Sequence, residues 1–276
     1  MMPDTTHLVY TATHTICGGG HHFASCTMQH TMLGMMHTFI LDDFISNTNH
    51  PPTRMLLSRM ATFYYHGLVL NKYNEDEDSY AHLPDLQSFS SALDLIAFCN
   101  LIIFINVLNF KTYQYPSSPS NIDIDDLESL SHERLASIKA FDFNAISPVD
   151  RQRYQHARGL AYALIDWLFK AVDIIEIATG EILEDPYSSL WVPYISQQAS
   201  ALLNYKRLAE KKKLKGAPGC TALWLKRQIL LCFEGTDLEA SVNDAIEAKH
   251  SILAFPSPEK YTTHRREFLQ SDLGEF

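Results

Sequence analysis

Between Leu95 and Phe110 the chain reads Leu-Ile-Ala-Phe-Cys-Asn-Leu-Ile-Ile-Phe-Ile-Asn-Val-Leu-Asn-Phe, without one charged residue. A helix that is apolar on every side has to be surrounded, either by lipid or by the rest of its own protein. This run falls short of the roughly 20 apolar residues that a bilayer span needs. It also carries Asn100, Asn106 and Asn109, and Asp94 and Lys111 bracket it. It therefore predicts a buried core helix over about residues 88 to 111 rather than a membrane segment.

Composition fits a globular protein. A chain of 276 residues, 46% of them hydrophobic, can fill one large core or two smaller ones. A net charge of −10 argues against a general nucleic-acid binder, which needs a basic surface. The five cysteines, at 17, 26, 99, 220 and 232, are scattered and odd in number. That pattern suggests reduced thiols in an intracellular protein rather than a disulfide frame. The N-terminus has neither the basic start nor the apolar core of a signal peptide.

The periodicity changes along the chain. Residues 1 to 26, rich in Thr, Val, Tyr and Ile with turn-forming glycines, predict two strands. Met28, Met32, Met35 and Phe39 then fall on one helical face. So do Leu56, Met60, Phe63, Tyr64 and Leu68, after Pro51 and Pro52 at a helix start. The run Glu75-Asp76-Glu77-Asp78 reads as an acidic loop, and residues 112 to 130 as a linker rich in Pro, Ser and Asp.

Beyond the linker, residues 131 to 255 predict a helical region. Ser147-Pro148 marks a helix start. Leu160, Leu164, Trp167, Leu168, Ala171 and Ile175 form an apolar stripe that ends at Thr179-Gly180, with Asp166 and Lys170 toward solvent. Another helix is expected from about Ser188 to Lys213, stopping at Gly216. Thr236 and Glu239 are spaced as a capping box. Residues 256 to 276 read as a polar, flexible tail.

Four segments near the start carry a family signature by their order and spacing. They are Pro3-Asp4-Thr5-Thr6-His7-Leu8-Val9, Gly19-Gly20-His21-His22-Phe23, Asn47-Thr48-Asn49-His50 and Arg54-Met55-Leu56-Leu57-Ser58-Arg59. Together they resemble the end of a JmjC domain, and fungal JmjC-like proteins above all, over roughly the first 70 residues. The resemblance implies a cupin, or jelly-roll, barrel of which residues 1 to 26 are an edge. It implies Fe(II) and 2-oxoglutarate as cofactors, with His7 as the last of three iron ligands. It also implies hydroxylation coupled to 2-oxoglutarate decarboxylation, often of methyl-lysine in histones.

Such iron centres use two histidines and one carboxylate on one face. The family's first two ligands form an H-x-D or H-x-E pair, and neither pattern occurs in this chain. One imidazole does not hold the metal alone, so His7 is not expected to bind Fe(II) tightly here. Only six residues precede His7. The expectation is therefore the C-terminal part, residues 1 to 111, of a JmjC-like domain, inactive by itself, followed by the helical region. The alternative is a non-catalytic helical protein-interaction module with protein partners.

Other chemistry is weaker. Cys17, His21, His22 and Cys26 offer four zinc donors, but strand geometry sends His21 and His22 to opposite faces. Gly18-Gly19-Gly20 lacks the Lys-Ser or Lys-Thr of a phosphate loop and reads as a turn. His30 and His37 lie about two turns apart, too far for one metal. Asn121 to Asp126 begins like a calcium loop but has Asp126 where glycine is required. Lys206, Arg207, Lys211, Lys212, Lys213 and Lys215 are accounted for as cations at a helix C-terminus, with a nuclear import signal as the alternative. The reading is an α+β chain, mostly α-helical, with a short β edge at its N-terminus.

Overall fold

The computed structural model describes residues 23–41, 52–73, 78, 81–114, 144–214, 219–249 and 256–266. The elements are α1 (Met28–Leu41), α2 (Pro52–Tyr64), α3 (Phe89–Ile103), α4 (Pro148–Ala171), β1 (Val172–Glu176), α5 (Val192–Lys211), α6 (Ala222–Leu231), α7 (Leu238–Glu247) and β2 (Tyr261–Arg265). The described chain is mostly helical, with one small antiparallel sheet.

The uncharged run is the centre of the molecule. Every residue of α3 from Ala92 to Ile103 is buried, and burial continues through Asn109. The Ser88 hydroxyl caps the helix by accepting the Ser91 N–H. α1, α2 and α4 pack against its flanks. The helix ends at Ile103, short of the expected 111, and residues 104–108 continue as buried turns whose carbonyls need donors other than water. Side chains supply them. The Thr112 hydroxyl donates to the Asn106 carbonyl, the Tyr113 hydroxyl to that of Val107 at 2.8 Å, and the Arg54 guanidinium to that of Leu108.

One continuous apolar cluster runs from Met28 to Ile246. Helices from the two regions expected at 1–111 and 131–255 therefore share a core. The Ser147 hydroxyl accepts the Asp150 N–H with Pro148 in the first turn of α4, as the Ser-Pro pair predicted.

Several expectations are corrected. The stripe of α4 does not reach Thr179. The helix ends at Ala171, and the β-branched sequence from Val172 to Ile175 continues as β1. Gly180, at φ +72°, turns the chain back so that Ile182 bridges Ile175. Within the stripe Leu164 and Leu168 are buried, while Leu160 and Trp167 are half-buried.

The segment expected as a flexible tail from Pro256 holds β2, paired in register from Val172↔Arg265 to Glu176↔Tyr261. Backbone pairing, the Tyr261 ring tilted against Phe89 with centroids 4.9 Å apart, and the Thr263 hydroxyl on the Leu86 carbonyl hold it in place. The buried face of α2 is rotated by one residue. Leu57, Ala61, Tyr64 and Leu68 are buried, whereas Leu56 is 44% exposed. On α1, Met36 rather than Met35 is buried.

Lys213, at φ +54°, provides the left-handed residue that ends α5, where a glycine was expected at Gly216. Thr236 and Glu239 do not form a capping box. The Thr236 hydroxyl donates back to the Phe233 carbonyl, and the Glu239 carboxylate accepts the Gly235 N–H. Ser25–Thr27, placed at the end of the second expected strand and just beyond it, form a 3-10 turn. The other residues of those strands, 1–22, lie outside the described residues, as do the linker from 115 to 130 and residues 74–77 of the acidic loop.

Candidate functional site

His7 lies outside the described residues, as do Cys17, His21 and His22. Cys26 is an exposed free thiol. His30 is exposed, and His37 sits with its ring centroid 6.2 Å from that of Tyr205. Among the described residues no group of three or more His, Cys, Asp or Glu could hold a metal ion. The described residues thus do not supply the facial set of two histidines and a carboxylate that Fe(II) needs.

Asp94, on the central helix and 5% exposed, is a buried carboxylate whose pKa is raised. It accepts the Gln29 N–H at 3.0 Å, in the first turn of α1, where amides have no partner within the helix. Burial pushes its pKa up, while the Gln29 and Met28 N–H groups and nearby His30 pull the other way. Tyr64 beside it is raised to about 12, first by burial and then by Cys99, Asp94 and Cys26. Burial, followed by Asp94, also raises Tyr194. The Cys99 thiol is raised by burial as well. Phenols and thiols held protonated in this way are poor nucleophiles. The geometry makes Asp94 a cap that joins two helices.

A second polar group lies deeper. Trp191 Nε1 donates to Asn100 Oδ1, and Asn100 Nδ2 donates to Gln198 Oε1, each at 2.7 Å. Tyr162 packs edge-on against Trp191, and its hydroxyl donates to the Cys232 carbonyl at 3.3 Å. Arg158 donates to the Asn106 side-chain oxygen. Burial lowers the pKa of Arg54 and raises those of Cys232 and Tyr162.

Asn106 Nδ2, Gln198 Nε2, Arg54 Nε and both ends of the Gln228 amide are buried without a hydrogen-bond partner. Each such group costs about 1–3 kcal/mol. This cluster specifies packing and has no reactive group.

The expected basic cluster divides. Lys206 is buried, 3.8 Å from the Glu210 carboxylate, while Lys211, Lys212 and Lys213 are exposed. Lys215 lies outside the described residues. No described helix is long and apolar enough to cross a membrane.

Sequence reasoning missed the small sheet; beside it, Ile177 in the turn after β1 and Ile182, which bridges Ile175, are 58% and 52% exposed. The signal was present. A β-branched run from Val172, then Thr179-Gly180, then Ile182 is a hairpin pattern. Comparison of the chain with protein-family models, curated proteins and solved structures finds no match.

Proposed function

We propose that the helical body is the non-catalytic portion of a JmjC-like Fe(II)/2-oxoglutarate oxygenase, and that it braces the segment carrying His7. The order and spacing of the four segments between Pro3 and Arg59 support the family reading. One contact carries the bracing role. α1 directly follows the Gly19–Phe23 segment, and Asp94 of the central helix caps its first turn. Met28, Met32 and Met36 bury the same helix in the core. No catalytic step is assigned to the described residues.

Anaerobic Fe(II) titration tests this reading. The chain should show no tight site, and low-micromolar binding that is lost in His7→Ala would overturn the non-catalytic role. Sequencing the transcript 5′ of Met1 tests the family. An in-frame H-x-D or H-x-E pair supports it, and a stop codon with no such pair before it removes it. The uncovered Ile177 and Ile182 favour a second reading, a helical protein-interaction module outside the oxygenase family.

A further inference from the structure

β2 is an edge strand with its outer side unpaired among the described residues. In an antiparallel ladder, alternate residues turn their N–H and C=O groups toward the partner strand, and the residues between turn theirs away. Two bonds fix which are which. Ile177 N–H donates to the Lys260 carbonyl, and Arg266 N–H to that of Ala171, both at 2.9 Å. Lys260, Thr262, His264 and Arg266 therefore face β1. Tyr261, Thr263 and Arg265 turn their backbone groups outward, where no described backbone group meets them. The far side of β1 is occupied, because Glu176 N–H donates to the Glu181 carbonyl and Leu183 N–H to that of Ile174. Among the described residues the open edge is that of β2.

The cations free along this edge are Lys260 and Arg265. Lys260, His264 and Arg265 are exposed, and Glu259 is the one acidic residue between Pro256 and Arg266. Arg266 is engaged with Asp173, its Nε donating at 2.7 Å. Cations on an edge strand oppose pairing between two copies, since each copy brings the same charges to the contact. They leave the edge open to a strand of opposite charge.

We propose that the outer edge of β2 binds an extended acidic segment of a partner protein as an added antiparallel strand. Backbone groups of Tyr261, Thr263 and Arg265 make the ladder, and carboxylates on one face of the segment meet Arg265. This inference does not depend on the oxygenase reading.

The test uses the full chain and three fluorescein-labelled peptides. One alternates valine with aspartate, the second replaces aspartate by lysine, and the third is the acidic peptide N-methylated at alternate residues. Anisotropy should show saturable binding of the acidic peptide, with the lysine and N-methylated forms at least about tenfold weaker. Arg265→Glu should weaken the acidic peptide by about tenfold, because Arg265 then repels it. Hydrogen exchange should slow in residues 261–265 when that peptide binds.

Equal binding of the acidic and lysine peptides would overturn the charge argument. Equal binding of the N-methylated form would overturn the added strand. No saturation by any of the three overturns the proposal outright. So does a dimer in which the same amides are already protected, because a second copy then occupies the edge.

Discussion

Asn100 is fully buried in the central helix and joins two elements through its side chain, accepting from Trp191 and donating to Gln198. Asn100→Leu keeps a similar volume and deletes both bonds. Trp191 Nε1 and Gln198 Oε1 would then be left without partners. Each orphaned group costs about 1–3 kcal/mol, offset in part by about 1.5–3 kcal/mol for the added apolar burial. The expected net loss is about 2–3 kcal/mol, a large part of a domain's usual margin.

Gln198→Met provides the internal control. It orphans Asn100 Nδ2 but also removes Gln198 Nε2, which has no partner already. The two effects cancel to within about 1 kcal/mol. In the double variant only Trp191 Nε1 is orphaned, so it should be more stable than Asn100→Leu by about 1 kcal/mol. Urea melts of the parent and the three variants measure all of these terms. An Asn100→Leu midpoint equal to that of the parent would refute the reasoning, because it would mean water reaches the cluster. Strict additivity of the two single changes would refute the coupling.

Asp94→Asn keeps an acceptor for the Gln29 N–H and deletes the charge. A raised pKa means that the folded chain binds the Asp94 proton more tightly than the unfolded chain does. Its stabilising effect is then full below the ordinary value of 3.8 and is lost as pH rises through the raised value. The variant should therefore gain stability relative to the parent between about pH 4 and pH 7 in paired urea melts, and a relative loss over that interval would contradict the assignment. On α4, Leu164→Ala should cost about 2–5 kcal/mol and Lys170→Ala, whose pair with Asp166 is exposed, less than about 0.5, with half-buried Trp167→Ala between them. Equal midpoints for Leu164→Ala and Lys170→Ala would mean that the stripe faces water. Brief maleimide labelling of the folded chain, read by peptide mass, should modify Cys26 well before Cys99, Cys220 or Cys232, whose thiols burial raises, Cys220 to about 12. Fast labelling at Cys220 would show that the turn before α6 opens.

The burial of the central helix was legible because the run from Leu95 to Phe110 carries no charge, but its end was not, since the helix stops at Ile103 rather than near 111. The start of α4 was legible because Ser147-Pro148 acts locally. What failed were features set by partners distant in the chain. Leu57 rather than Leu56 faces inward, although either residue fits a helical face; contact with α4 decides which. β2 is short and polar, and as an isolated segment it has no reason to order. It orders against β1, about 90 residues earlier. Asp94 was read as a boundary charge, but its role depends on where α1 begins in space. The expected metal ligand, His7, lies outside the described residues.

The polar residues of α3 explain how so apolar a helix takes one position. A helix lined only by Leu, Ile and Phe rotates or slides at small cost, since one apolar contact replaces another. Here Asp94 and Asn100 on the helix, and Asn106 and the Leu108 carbonyl in the buried turns that follow it, make polar contacts that have no such replacement. Asp94 binds the first turn of α1, and Asn100 binds Trp191 and, on α5, Gln198. Asn106 binds Arg158 of α4, and the carbonyl at Leu108 binds Arg54 of α2. A rotation of α3 breaks several of these at once and leaves buried charges and amides unpaired, at about 1–3 kcal/mol each. The apolar residues drive the helix into the core, and the polar ties of Asp94, Asn100 and the turns just after the helix fix its orientation there. α1, which follows the segment bearing His7, is thereby held to the same frame as the small sheet at the other end of the chain.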